Sequence, residues 1–213
     1  MTPVWQTFRA LGLAAAWTIL ACKTDPRAAD PKDERGAAVD TSEEVAAQEV
    51  KIRTPDVLYI PTPEGVVQKM LELARVTAGD LIYDLGCGDG RIVVAAAERF
   101  GARAVGFDID PARVAEAREK VRRAGLESLV SIEQKDIFTL DLEPASVITL
   151  YLLPQLNVRL IPQLQRMKPG SRVVSHDFDI EGVVPLQTST LRPAGESLPH
   201  SVFLFQIPLQ QEQ

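Results

Sequence analysis

The stretch YDLGCGDGR at residues 83–91 decides the fold of this chain, because it joins a short apolar run to an amphipathic one through three alternating glycines. The glycines, Gly86, Gly88 and Gly90, let the backbone turn sharply and pass close to a ligand without interference from a Cβ atom. A helix over residues 91–100 would present free backbone N–H groups at its first turn. The stretch therefore predicts a strand, a glycine loop and a helix, with a ligand over the loop.

Short apolar runs alternate with longer amphipathic runs over residues 54–208, a pattern typical of a mostly parallel sheet covered by helices. The last two apolar runs have no helix between them and predict an antiparallel hairpin. Pro162 lies inside the last helical run and predicts a kink or break near Ile161. The predicted strands are residues 81–83, 104–107, 129–133, 146–150, 172–175, 183–186 and 202–207, and the predicted helices are 63–75, 91–100, 111–124 and 154–167.

The glycine spacing argues against a dinucleotide site. Dinucleotide turns use G-x-G-x-x-G, whereas this loop reads G-x-G-x-G from Gly86 to Gly90. A glycine-rich turn alone can also be a tight connection without a ligand. In the same way, Asp108 or Asp110 can cap the helix that begins at Pro111, and Asp136 can be a turn residue. We assign Asp110 to the cap.

The loop, preceded by Asp84 at a strand end, resembles motif I of class I S-adenosylmethionine-dependent methyltransferases. The resemblance covers about residues 54–208 and implies a seven-stranded, mostly parallel Rossmann-like sheet with a C-terminal antiparallel strand pair and helices on both faces. DVLYIPTP at residues 56–63 and DLGCGDGRIV at 84–93 look like the subgroup related to the lysine methyltransferases of the ATP synthase c subunit and the adenine nucleotide translocator. TLYLLP at 149–154 departs from the Asn/Asp-Pro-Pro-Tyr motif of enzymes that methylate adenine or glutamine.

The resemblance implies S-adenosylmethionine as cofactor and gives each acid at a strand end a role. Asp84 would lie near the ammonium group, and Asp108 would accept two charge-assisted hydrogen bonds from the ribose diol. Asp136 would accept from the adenine amine, which its neighbour Ile137 would cover. The segment at residues 56–63 would form an N-terminal lid. The expected cofactor-binding residues are Asp84, Gly86, Gly88, Gly90, Asp108, Asp136, Ile137 and, on this lid, Thr62.

A protein lysine is the methyl acceptor that the resemblance favours, although another side chain or a small molecule also suits an open cavity. The candidate catalytic residues are Tyr151, His176 and Asp177, which follow the fourth and fifth strands. The alternatives are a hydrogen-bonded rim residue for His176 and a packing aromatic for Tyr151. No metal site is expected, because the two histidines and two cysteines lie far apart in sequence.

Two other function classes stay open. One is an NAD(P)-dependent oxidoreductase on a Rossmann-like sheet, and the other is a non-catalytic, nucleoside-binding, membrane-tethered module. The excess of 29 acids over 23 bases, a net charge of -6, argues against general adhesion to nucleic acid.

The N-terminus has the pattern of an export signal. Residues 1–22 contain one cation, an apolar run and a final cysteine, Cys22, which resembles the lipidated cysteine of bacterial lipoproteins. The alternative is an uncleaved anchor or a misassigned start codon. Polar residues 23–53 predict a flexible tether, which leaves a methyltransferase domain at residues 54–213. We expect membrane association through the N-terminal segment and a membrane-proximal protein partner. The sequence does not decide on which side of the membrane the domain lies. An export signal would place the domain outside, whereas S-adenosylmethionine is made in the cytosol.

Overall fold

The computed structural model describes residues 59–212. The predicted leader with Cys22, the predicted tether and residues 56–58 of the lid segment lie outside the described residues. Within the described part of the chain, no helix combines the length and apolar character needed to cross a membrane.

Seven strands form one sheet in the order β3-β2-β1-β4-β5-β7-β6. Strands β1 to β5 are parallel, and β7 lies antiparallel between β5 and β6. This order confirms the predicted sheet with its C-terminal antiparallel pair. The strands are β1 (Leu81–Leu85), β2 (Arg103–Asp108), β3 (Val130–Gln134), β4 (Val147–Leu150), β5 (Arg172–His176), β6 (Gln187–Leu191) and β7 (His200–Gln206).

Helices cover both faces of the sheet, as predicted. They are α1 (Glu64–Leu73), α2 (Arg91–Phe100), α3 (Pro111–Ala124) and α4 (Pro154–Leu164). The first three pack on one face, against side chains such as Ile82 and Val147. Helix α4 packs on the other, against side chains such as Leu85 and Leu150. Because side chains alternate along a strand, the central strands β1, β4 and β5 each contribute to both apolar layers.

The strand predicted at residues 183–186 is wrong. The observed strand β6 begins at Gln187, while Val183 makes only an isolated bridge to Gln211. Pro185 lacks the N–H that a ladder requires. An edge strand pairs on one side only, so β6 can form from the polar sequence QTSTL, which carries no apolar run for sequence reasoning to find.

Helix α4 is not interrupted at Ile161. It continues through Pro162 and ends at Leu164, so the break predicted near Ile161 is wrong. The missing N–H of Pro162 removes one helical hydrogen bond only two residues before the helix ends, where few later turns depend on it.

Candidate active site

A cavity of about 660 Å³ opens at the carboxyl ends of the parallel strands. This is the edge at which open α/β sheets bind ligands. Seven of the predicted site residues line the cavity, namely Thr62, Asp84, Gly86, Asp108, Asp136, Ile137 and Tyr151. The parallel register explains the result, because it brings the ends of β1, β2 and β3 to one edge of the sheet.

The glycine loop lies under the lid segment that precedes α1. Gly88 has φ 53°, and a Cβ atom added there would lie 2.1 Å from Cε2 of Tyr59. Gly86 has φ 82°, and a Cβ atom there would meet Leu152 at 3.0 Å. The loop therefore needs glycine for both its left-handed backbone and its close contacts.

Asp84, in β1, is a buried carboxylate that lines the cavity and has one unpaired oxygen. Its side chain is 2% exposed, and Thr149 Oγ1 donates to Oδ1 at 2.6 Å. Oδ2 is buried and has no hydrogen-bond partner among the described residues. Burial, together with the nearby charges of Asp108 and Asp89, raises the pKa of Asp84 to about 7, against the hydrogen bond from Thr149. An ammonium group would satisfy the unpaired oxygen and stabilise its charge.

Asp108 and Asp136 combine local backbone roles with exposure to the cavity. Asp108 accepts the N–H of Gly88 at Oδ2, at 2.8 Å, and the N–H of Asp110 at Oδ1, at 2.9 Å. A carboxylate has about four lone-pair sites, so two stay available for a diol. Asp136 accepts the N–H of Phe138 at 3.0 Å and so caps a short 3₁₀ helix. Asp136 is therefore also the turn residue that the sequence allowed. Asp110 accepts from Ala112 N–H, as its predicted cap role requires.

A network of ion pairs around Asp89, which we call the brace, was not predicted from the sequence. Asp89 accepts from Arg91 Nε at 2.9 Å and pairs with Lys120, while Arg91 Nη1 donates to the Thr62 carbonyl at 2.8 Å. Burial raises the pKa of Asp89, but the hydrogen bonds from Arg91 and Lys120 outweigh it and hold the pKa well below its usual range. The brace connects the loop to the lid. The short spacing of Asp89 and Arg91 was visible in the sequence, whereas the approach of Lys120 from α3 was not.

Of the predicted catalytic residues, only Tyr151 lines the cavity. His176 is fully buried behind Tyr151, and the centroids of the Tyr151 and His176 rings are 3.9 Å apart. The Nδ1 atom of His176 is 3.1 Å from Thr62 Oγ1. Burial, with a smaller contribution from the His200 charge, lowers the pKa of His176 to about 4, although the Asp177 carboxylate opposes this shift. His176 is therefore neutral near pH 7.

The two histidines, far apart in sequence, meet in the folded chain. Strand β7 runs antiparallel to β5, so His200 returns to within 3.0 Å of His176, measured from Nδ1 to Nε2. Asp177 Oδ2 completes the group at 2.9 Å from His200 Nδ1. This contact depends on the long-range pairing of β7 with β5, which no local sequence pattern indicates.

Comparison with known proteins identifies the family. The ANTKMT methyltransferase domain family matches residues 84–187. A protein-lysine N-methyltransferase from Saccharolobus islandicus is 42% identical over 155 residues, which is 72% of this chain and 95% of that protein. The chain belongs to the class I S-adenosylmethionine-dependent methyltransferases.

Two further proteins are similar to this methyltransferase. The crystal structure of an RNA methyltransferase from Salinibacter ruber with S-adenosyl-L-homocysteine has a TM-score of 0.64 and 46% identity, and the match covers 70% of this chain and 94% of that one. The human lysine N-methyltransferase of the ATP synthase c subunit is 27% identical over 71% of this chain and 70% of its own length. These matches support neither the NAD(P)-dependent alternative nor the non-catalytic one.

The cavity of this methyltransferase fits S-adenosylmethionine. The unpaired Oδ2 of Asp84 suits the ammonium group, and Gly86 of the glycine loop lines the same cavity. Asp108 and Asp136 supply acceptors at the next two strand ends. The residues that would hold the cofactor therefore meet around one cavity.

Proposed function

We propose that this methyltransferase transfers a methyl group from S-adenosylmethionine to the side-chain amine of a protein lysine. The observation that carries the proposal is the match to a protein-lysine N-methyltransferase along 95% of that protein's length. The cavity supports it, because carboxylates outnumber cations in its lining and so favour a cationic substrate. The lining has five carboxylates, Asp84, Asp89, Asp108, Asp110 and Asp136, and two cations, Arg91 and Arg113.

When bound, the cofactor supplies an electrophilic methyl group on a sulfonium. The chain's own residues then have little acid-base chemistry to do and act chiefly by positioning the amine and excluding water. Leu152, Leu153 and Phe178 line the cavity beside Tyr151 and provide apolar walls. A lysine ammonium, with an ordinary pKa of about 10.4, loses its proton more readily when such walls desolvate it.

Tyr151 is the proposed contact for the amine, and His176 and Asp177 are proposed to position it. His176 packs against the Tyr151 ring, and its own low pKa makes it a poor acceptor for an amine proton. Tyr151→Phe keeps the ring and removes the hydroxyl. We expect kcat to fall about tenfold, roughly the effect of one lost hydrogen bond, with unchanged cofactor affinity. An unchanged kcat would show that the Tyr151 hydroxyl does not contact the amine during the reaction.

RNA is the second candidate acceptor, since the Salinibacter relative at 46% identity is an RNA methyltransferase. The acidic cavity and the net charge of -6 make phosphate backbones poor partners. One assay separates the two. A cell extract is incubated with the enzyme and labelled S-adenosylmethionine, then divided between protease and ribonuclease treatment.

We expect protease to release the label, and mass spectrometry of the labelled peptides to place methyl groups on lysine. The Asp84→Asn variant is the matched control and should label the extract much more weakly at subsaturating S-adenosylmethionine. Label that ribonuclease releases, or methyl groups on another side chain, would contradict the lysine assignment. In either case the cofactor assignment would survive.

For location, we propose that residues 1–22 attach the chain to a membrane and bring it near a membrane-proximal protein, with Cys22 lipidated. Fractionation of cells that express the full chain, a chain lacking residues 1–22, and Cys22→Ser tests this. We expect the full chain in the membrane fraction and the shortened chain outside it. Membrane recovery of the shortened chain would contradict the attachment, and membrane recovery of Cys22→Ser would contradict lipidation.

A further inference from the structure

Three side-chain atoms converge beside the cavity, where β5 meets β7. They are Nε2 of His176, Nδ1 of His200 and Oδ2 of Asp177. The two nitrogens are 3.0 Å apart, and the carboxylate oxygen lies 3.2 Å from His176 Nε2 and 2.9 Å from His200 Nδ1. We propose that these three atoms bind a divalent transition-metal ion of the zinc type.

Protons satisfy this triangle poorly. If both imidazoles donate to Asp177, two N–H groups face each other across the 3.0 Å between the nitrogens. If only one imidazole carries a proton at this triangle, the Asp177 oxygen and the nitrogen of the other imidazole are both acceptors. They then either face each other without a proton or share the single N–H. One cation on the axis of the triangle uses a lone pair from each atom at once.

The ligand types and distances suit zinc. Two imidazole nitrogens and a carboxylate oxygen are common zinc ligands, bound at about 2.0–2.2 Å. Tetrahedral ligands at such distances lie about 3.3 Å from each other, close to the separations observed here. The side chains of Asp177 and His200 are 27% and 15% exposed, so water can supply a fourth ligand and the ion can enter from the surface.

The atoms around the triangle resemble a second coordination shell. Zinc-bound histidines usually place the other ring nitrogen against an oxygen acceptor. His176 Nδ1 lies 3.1 Å from Thr62 Oγ1, and the buried His200 Nε2, which has no hydrogen-bond partner in the described chain, lies 4.0 Å from Glu196 Oε2. Asp177 is held by the Ser201 N–H, which donates to Oδ1 at 2.8 Å.

The backbone also places Asp177 at some cost. Its φ of 57° is in the left-handed region that residues with side chains rarely adopt. Such strain collects where a site requires a particular geometry. A bound ion would join β5 to β7 and, through Thr62, to the lid over the cofactor cavity. It would therefore act as a structural clamp, independent of the methyl acceptor.

The test uses the full chain without a histidine tag, stripped by a chelator and titrated calorimetrically with Zn²⁺ and spectroscopically with Co²⁺. The sequence contains two histidines, so any imidazole ligand must come from this cluster. We expect one ion per chain, a tetrahedral Co²⁺ spectrum and a higher Tm with Zn²⁺. His200→Ala and Asp177→Asn should weaken Zn²⁺ binding by more than about 100-fold, beyond the usual loss from removing an outer-shell partner.

The matched controls are Asp141→Asn, which changes an exposed carboxylate, and Cys22→Ser, which removes the thiol that Cys22 carries when it is not lipidated. Both should bind Zn²⁺ within about twofold of the natural chain, well below the loss expected for a ligand. Absence of equimolar uptake by the natural chain, or unweakened binding by His200→Ala, would overturn the site. If His200→Ala does not fold, X-ray absorption of the zinc-loaded natural chain decides. Two imidazoles without sulfur support the site, and sulfur ligation overturns it.

Discussion

At the scale of the residue, the ionisation of the Asp84 carboxyl group is expected to control cofactor affinity. A buried carboxylate whose pKa lies near 7 is protonated just below neutral pH and cannot then pair with an ammonium group. We expect S-adenosylmethionine affinity to fall by up to about tenfold per pH unit between about pH 7 and pH 5.5. Calorimetry across that range measures the effect.

Asp84→Asn is the control for this prediction. At pH 7.5 the variant should bind the cofactor about 10- to 150-fold more weakly, because a charged hydrogen bond contributes about 1.5–3 kcal/mol. Its cofactor affinity should also no longer depend on pH. A variant whose affinity still falls as the pH is lowered would assign the titration to another group.

Asp108 is expected to bind the ribose diol. Asp108→Ala should lower cofactor affinity about tenfold or more. This variant also frees the N–H of Gly88, so a loss alone does not identify the diol contact. A 2′-deoxy analogue of S-adenosylhomocysteine resolves the ambiguity by calorimetry. It should bind the natural enzyme much more weakly than the parent compound, but bind Asp108→Ala about as well as the parent does. An equal penalty in both proteins would remove the ribose assignment.

At the scale of the element, the glycine loop and the lid act as one unit. Gly88→Ala adds a methyl group that would overlap the Tyr59 ring, in a backbone conformation that alanine rarely adopts. We expect a large loss of cofactor affinity, measured by calorimetry, and a lower Tm. Gly182→Ala is the matched control, because Gly182 also has a left-handed φ, of 79°, but its Cβ would meet nothing within 4 Å. Equal losses of cofactor affinity in the two variants would show that the lid contact is unimportant.

Sequence patterns predicted the elements around the loop because their residues encode local structure. Helix α3 begins and ends as predicted, since Asp110 caps it and Gly125 ends it in the left-handed conformation. The three acids at the strand ends could be predicted because parallel strands end at one edge. Strand β6 and the pairing of His200 with His176 could not, because both depend on long-range pairing rather than on local pattern. The same is true of Lys120 beside Asp89.

At the scale of the whole molecule, the cofactor site carries a cost in stability. The folded pKa of Asp84, about 7, lies above its ordinary value of 3.8, so the native state holds this proton more tightly than the unfolded state does. The resulting stabilisation is complete below about pH 3.8 and is lost as the pH rises through 7, by at most about 4 kcal/mol.

Thermal unfolding between about pH 5 and pH 8 checks this linkage. We expect the Tm of the cofactor-free enzyme to fall across this range, and Asp84→Asn to be the more stable protein at pH 8. Saturating S-adenosylmethionine should raise the Tm of the natural enzyme more at pH 8 than at pH 5.5. A Tm difference between the natural enzyme and Asp84→Asn that does not change with pH would contradict the raised pKa.

The central claim is that the acids ending β1, β2 and β3 surround one nucleoside ligand above the glycine loop. A crystal structure of the enzyme with S-adenosylhomocysteine tests it most directly. We predict the ammonium group within hydrogen-bond distance of Asp84 Oδ2, the ribose diol on Asp108, and the adenine beside Asp136 and Ile137. A nucleoside bound away from these three carboxylates, or bound in the reverse direction with adenine at Asp84, would contradict the account.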